Sequence, residues 1–128
     1  VHLRRQRQMC IRDRLIIDKF GLLSSLYKYC DVAFIGGGFR GALHNTLEAA
    51  VWDLPIIYGK NNNNKKFNEI SHLENLRIGF PITSGNEFKL LINRIVKYGD
   101  IGSGGNKFIL KNSGATDKII RETINLIK

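Results

Sequence analysis

Cysteine is nearly absent. Cys10 and Cys30 are the only two in the 128 residues. They make no disulfide framework, and no His/Cys cluster has the spacing of a metal site, so no metal is expected. Such sparse cysteine fits a reducing compartment, with Cys30 expected as a small core residue at a helix end. No apolar run approaches the length of a membrane span. The opening residues carry charge but lack the apolar segment of a signal peptide. No Gly-Lys-Ser/Thr follows a glycine turn, which excludes a P-loop, and no Gly-x-Ser-x-Gly elbow exists. No internal repeat is visible. The two prolines, Pro55 and Pro81, read as a helix stop and as the mark of an edge strand.

Acidic charge is also scarce: the net charge is +9, with 43% hydrophobic and 24% charged residues, a globular balance for one domain at most. Arg4, Arg5, Arg7, Arg12 and Arg14 with Asp13 concentrate +4 of it in residues 1–14, and the other +5 is spread over lysines on helices and loops. No basic stripe is interleaved with aromatics, so nucleic acid is not an expected partner. A mildly basic surface suits an anionic donor or an anionic membrane face. Residues 1–14 have neither helical nor strand periodicity. They resemble translated sequencing-adapter sequence more than protein and are set apart from the fold as a non-native segment, the alternative being a native basic arm.

What is present is organised around Asp31 to Gly59. Val32-Ala33-Phe34-Ile35 reads as a buried strand running into Gly36-Gly37-Gly38, where the backbone can take positive φ and approach another molecule closely. A helical pattern follows in Leu43, Leu47, Ala50, Val51 and Leu54, stopped by Pro55, and Ile56-Ile57-Tyr58 is the next strand. Strand, glycine turn, helix and strand form a βαβ unit, whose glycine turn lies where open α/β sheets bind ligands. Free N–H groups and the helix dipole favour an anion there.

On the expected helix, His44 and Glu48 stand four apart on one face with Asn45 beside them. A carboxylate there repels phosphate but accepts two hydrogen bonds from a sugar diol. Asn45 offers a donor and an acceptor, so the group suits a ribose with its phosphate nearby. The same residues also fit a carboxylate stabilised by the helix dipole, with His44 incidental, and the chemistry leaves both readings open.

Ahead of this unit, Leu15-Ile16-Ile17 reads as a strand, Asp18 to Gly21 as its loop, and Leu22, Leu23, Leu26 and Tyr29 as a short helix. A parallel sheet is expected from the resulting βαβαβ run. Gly21 is a second candidate ligand contact, explained nearly as well by a tight turn. Asp53 stands where a helix-ending glycine is usual, since aspartate tolerates the left-handed conformation. Asn61 to Asn64 form a low-complexity loop without assigned chemistry, flanked by Lys60, Lys65 and Lys66. Phe67, Ile70 and Leu73 begin another helix, and Gly79 to Ile82 a short edge strand. Ser84-Gly85-Asn86-Glu87 is a capping box opening an amphipathic helix with Phe88, Leu91, Ile92, Ile95 and Val96 inside. After a flexible loop over 99–105, a last helix starts at Thr116 or Asp117 and carries Ile119, Ile120, Ile124 and Ile127.

Gly36-x-Gly38-x-x-Gly41 formally meets the dinucleotide fingerprint, but the following strand ends Tyr58-Gly59-Lys60 without the acidic residue an NAD site requires. GLLSSLY, DVAFIGGGF, HNTLEAA, LPIIYG and KKF, in this order, resemble instead the C-terminal half of bacterial 3-deoxy-D-manno-octulosonic acid (Kdo) transferases. The later SGATDKI is similar to the close of Bacteroidetes-type members. The similarity covers residues 15–128.

This resemblance implies an α/β fold, a Rossmann-like parallel sheet flanked by helices, forming part of the C-terminal domain of a GT-B glycosyltransferase. It implies that residues 15–128 are a partial donor-binding domain for CMP-Kdo. The acceptor, a lipid A precursor (lipid IVA), would be bound by an N-terminal domain at the cytoplasmic face of the inner membrane. By the resemblance, donor contacts would come from Phe20, Gly21 and Leu22 and from Asn45, Thr46, Leu47 and Glu48, with Glu48 on the CMP ribose; the chemistry of the glycine turn adds Gly36, Gly37, Gly38 and His44. CMP-Kdo is a substrate, and no cofactor is implied. The family's catalytic base lies in the N-terminal domain, so no catalytic residue is expected in this chain. Gly21-Leu22-Leu23 departs from the family's frequent Gly-Glu-Leu, and Lys60 replaces a usual proline. A transferase of another nucleotide sugar, and a non-catalytic nucleotide-binding domain, are the alternatives.

Overall fold

The computed structural model describes residues 15–99 and 101–127. Residues 1–14, read above as non-native, lie outside the described residues. Three short strands form one parallel sheet: β1 (Ala33–Ile35), β2 (Ile56–Gly59) and β3 (Gly79–Ile82). They stand in chain order, with Ala33 opposite Ile56 and Ile56 opposite Gly79. Parallel neighbours need crossovers, and the intervening segments supply them. The helices are α1 (Leu23–Leu26), α2 (Leu47–Ala50), α3 (Asn68–Asn75), α4 (Gly85–Tyr98), α5 (Gly105–Asn112) and α6 (Ala115–Leu126). The α/β class and the flanked parallel sheet agree with the sequence reading.

Alternation along the strands divides the core in two. Ala33, Ile35, Ile56 and Tyr58 face one side and pack with Tyr27, Leu43, Ala49, Ala50, Ile70 and Leu73. Ile57, Phe80 and Ile82 face the other and pack against Phe88, Leu91, Ile92 and Ile95 of α4. Helices on both faces bury the central strand β2 completely.

Several expectations fail for identifiable reasons. Leu15-Ile16-Ile17 is not a strand: it is irregular and exposed, and no strand among the described residues pairs with it. Cys30 is exposed rather than in the core, its Sγ 3.5 Å from the Leu26 carbonyl. Val96 points to solvent, being 77% exposed. Helix α5 was not expected; it is held from outside, because Asp53 Oδ1 accepts from the N–H of Gly104 (3.0 Å) and of Asn106 (3.1 Å). Asp53 itself has φ 55°, the left-handed conformation anticipated for it. The capping box is present with one change of partner: Ser84 Oγ accepts from Glu87 N, while the Glu87 carboxylate takes the N–H and hydroxyl of Thr83.

The largest difference lies after the glycines. The helix expected to follow the glycine turn is only the four residues of α2, and His44 and Asn45 precede it. Gly37 (φ 81°) and Gly41 (φ 69°) bracket a single 3₁₀ turn, Gly38–Arg40. The chain then doubles back, with Ala42 N and His44 N donating to the Gly37 and Gly36 carbonyls. Leu43 reaches the core from this loop, which satisfies the helical spacing of apolar residues without a helix. His44 and Glu48 therefore share no helical face.

Candidate functional site

The glycines serve the chain's own packing before any ligand. A Cβ on Gly37 would lie 2.0 Å from the Ala42 carbonyl oxygen, and one on Gly38 2.6 Å from that of Gly59. Close approach is thus needed between the turn and the end of β2. The asparagine tract locks the same junction. Asn64, 2% exposed, donates through Nδ2 to Gly38 O (3.1 Å) and Gly59 O (2.8 Å). Asn61 Nδ2 donates to Phe39 O at 2.9 Å. The tract has a definite structural job, which composition alone conceals. Gly36 keeps an ordinary contact with the His44 ring, 3.6 Å from its would-be Cβ, so His44 lies against the turn.

Asn45 and Glu48 build the polar part of the site. Asn45 Oδ1 accepts from Leu47 N at 3.0 Å, which turns the chain into α2. Its Nδ2 donates to Glu48 Oε1 at 3.0 Å. One amide therefore opens the helix and orients the carboxylate, with Glu48 in the first turn as the helix dipole favours. Between them Thr46 turns inward, 1% exposed, and its Oγ1 has no hydrogen-bond partner among the described residues.

Asn45, Leu47 and Glu48 line an open groove of about 380 Å³ whose other walls are Ser24, Ser25, Val51 and Trp52. Trp52 Nε1 donates to Ser24 O at 2.9 Å and ties α1 to the end of α2. Tyr27 stands under this wall; burial first, then the charge of Glu48 and then Cys30, push its pKa up, so it remains a neutral hydroxyl. The groove combines an apolar floor, an indole edge, two hydroxyls and an oriented carboxylate. Such a set can hold the hydroxyls and flat ring of a nucleoside.

Of the sequence-derived candidates, Asn45, Leu47 and Glu48 meet in this groove. Gly36, Gly37, Gly38 and His44 form a neighbouring cluster at the carboxyl end of β1. Phe20, Gly21 and Leu22 line neither: Phe20 is fully exposed and a Cβ on Gly21 (φ 81°) would meet nothing within 4 Å. Ser24, Ser25 and Trp52 were not singled out from sequence. The single tryptophan, spaced one helical turn from Glu48, was the available signal. Among the described residues no group of His, Cys, Asp and Glu is placed to hold a metal, and no helix is long and apolar enough to cross a membrane.

No family model matches the chain. Individual proteins do. A 3-deoxy-D-manno-octulosonic acid transferase of Aquifex aeolicus is 36% identical over 80 residues, 59% of this chain and 21% of that protein. The protein of the same name from Chlamydia muridarum is 41% identical over 49 residues, 37% of this chain and 11% of its own length. A bifunctional glycosyltransferase/methyltransferase of Fusobacterium nucleatum is 29% identical over 114 residues, 88% of this chain and 18% of that protein. The resemblance to Kdo transferases carried by the motifs is therefore present in these alignments. The chain spans about a fifth or less of the relatives it matches.

Proposed function

We propose that this chain is the donor-binding part of a glycosyltransferase that moves Kdo from CMP-Kdo to a lipid A precursor (lipid IVA). The Asn45–Glu48 pair carries the reading. Its hydrogen bond fixes the carboxylate at the mouth of a groove sized for a nucleoside, within the HNTLEAA segment that the resemblance assigns to the donor. Glu48 would accept the ribose hydroxyls, with Trp52 and Leu47 against the apolar surface of the nucleoside. Gly36 to Gly38 and His44 would flank the departing phosphate. The loop Phe20–Leu22 would close on the donor only after moving toward the groove.

Inverting transfer needs a base on the acceptor hydroxyl, opposite the departing CMP. Glu48 is not assigned that role, because its carboxylate is oriented toward the nucleotide's diol and not toward an acceptor hydroxyl. The base and the acceptor site would lie in the part of the relatives that this chain does not span. The working enzyme would sit at the cytoplasmic face of the inner membrane, peripherally or anchored elsewhere in the protein. A second reading is a transferase of another nucleotide sugar, since the Fusobacterium match, over 88% of this chain, is named a glycosyltransferase without a stated donor.

A titration of the chain with CMP and UDP, followed by amide NMR, decides between them. CMP is expected to give saturable shifts at Ser24–Ser25 and Asn45–Glu48, lost in Glu48→Ala and absent with UDP. A preference for UDP supports the second reading. A dispersed spectrum that responds to neither nucleotide overturns donor binding by this chain.

A further inference from the structure

The side of α4 turned away from the sheet is both apolar and cationic. Phe88, Leu91, Ile92 and Ile95 face inward, leaving Leu90, Val96 and Tyr98 exposed at 70%, 77% and 67%. Lys89 and Lys97 stand among them, and the acids nearest in sequence are Glu87 and Asp100 at the two ends of the helix. Lys97 Nζ lies 5.0 Å from the centre of the Tyr98 ring. The surface continues onto Phe80 and Pro81 of β3 through two shallow depressions of about 340 and 630 Å³ that share Leu90 and Arg94. Glu87, the acid at its rim, is held by the N–H and hydroxyl of Thr83.

Leu90, Val96 and Tyr98 stay exposed in the presence of all the described residues that follow them. β3 is an outer strand of the sheet, and from α4 the chain crosses to the opposite face, where α5 packs beside α2 and is pinned by Asp53. We propose that this face docks on an anionic lipid bilayer. Cations on long stems around leucine, valine and tyrosine tips let the apolar atoms enter the headgroup region while the ammonium groups meet lipid phosphates. The depressions are open and shallow, so a flat surface fits them better than an inserted chain does. The inference deepens the proposed membrane-face location by naming the surface that makes the contact, and it holds whichever nucleotide the groove accepts.

The test is co-sedimentation of the full 128-residue chain with vesicles of phosphatidylcholine alone or mixed about 3:1 with phosphatidylglycerol. Binding is expected only to the mixed vesicles and is weakened by salt. Lys89→Glu/Lys97→Glu should lower partitioning by about tenfold or more, each lost surface cation weakening binding about fivefold. Lys107→Glu/Lys111→Glu on α5, with the same net charge, should lower it far less. All four lysines are exposed, so both variants are expected to keep the parent dichroism. The arginines of residues 1–14 are common to every protein compared. Leu90→Ser/Tyr98→Ser should also reduce binding. Equal losses in the two charge variants, or no preference for anionic vesicles, overturn the proposal. So does self-association that Leu90→Ser/Tyr98→Ser abolishes without changing vesicle binding, which would assign the face to a second copy.

Discussion

Asn45 and Glu48 act as one unit: the amide that turns the chain into α2 also donates, at 3.0 Å, to the carboxylate. Asn45→Ala should therefore weaken CMP binding by about tenfold, the worth of one hydrogen bond to a charged group, even where no ligand atom touches Asn45. Asn45→Asp should weaken it further, since two carboxylates would face each other. Calorimetric titration reads both. Unchanged affinity in Asn45→Ala would mean that the orientation of Glu48 is not used in binding.

Gly38 and Asn64 close the turn onto β2. Gly38→Ala places a methyl 2.6 Å from the Gly59 carbonyl oxygen and should cost about 2–3 kcal/mol in urea unfolding. Asn64→Ala removes the donor shared by two buried carbonyls, of which Gly38 O keeps the Gly41 N–H, and should cost about 1–3 kcal/mol. Asn64→Asp should cost more, because the new carboxylate would face both oxygens.

Asp53 has two tasks that substitutions can separate. Asp53→Asn keeps an acceptor for Gly104 and Asn106 and tolerates positive φ, so its cost should stay under about 1 kcal/mol. Asp53→Gly relieves the backbone but loses the acceptor. Asp53→Ala suffers on both counts and should cost about 2 kcal/mol, the largest of the three by chemical denaturation.

Tyr58 supplies a base-sensitive element. Burial, followed by its 2.7 Å hydrogen bond to Glu74 Oε1, raises the phenol well above its ordinary value of 10.0. A raised folded-state pKa gives stability that is complete below the unfolded value and is lost as pH rises beyond it. The urea midpoint should therefore fall above about pH 10 in the parent protein and much less in Tyr58→Phe, which should also lose about 1 kcal/mol at neutral pH.

Glu87 works in the opposite direction. The Thr83 N–H, then the Thr83 hydroxyl, and lastly Lys60 hold its carboxyl below the usual 4.5. A depressed folded-state pKa contributes stability above the unfolded value that disappears as pH falls through the folded one. Glu87→Gln should flatten the acid side of the stability profile, measured by thermal unfolding between about pH 5 and 2.

Local signals were legible where one residue fixes one backbone event. Ser84 announced the start of α4, Asp53 a left-handed turn, and Pro81 an edge strand. What escaped depends on partners distant in sequence. Leu15-Ile16-Ile17 has strand composition, but a strand needs a neighbour. Leu43 and Leu47 keep helical spacing although only Leu47 is in a helix: a loop held by Gly36 and Gly37 delivers Leu43 to the core, while Leu47 lines the groove. Asn64 looked like one repeat among four, while its position alone bridges Gly38 and Gly59. In the candidate site, the HNTLE segment was legible through its polar residues. Ser24, Ser25 and Trp52 were not, since they join the groove only through a contact 28 residues apart in sequence.

The strand order sets a cadence for assembly on the ribosome. Ala33 pairs with Ile56 and Ile56 with Gly79, an offset of 23 residues each time. At a synthesis rate of about 5–20 residues per second, each strand waits about one to five seconds for its neighbour to emerge. Asn64 follows β2 immediately, so the bolt across the first pair becomes available before β3 has been made. The groove and the glycine turn can thus mature in the nascent chain, ahead of everything from Gly79 onward.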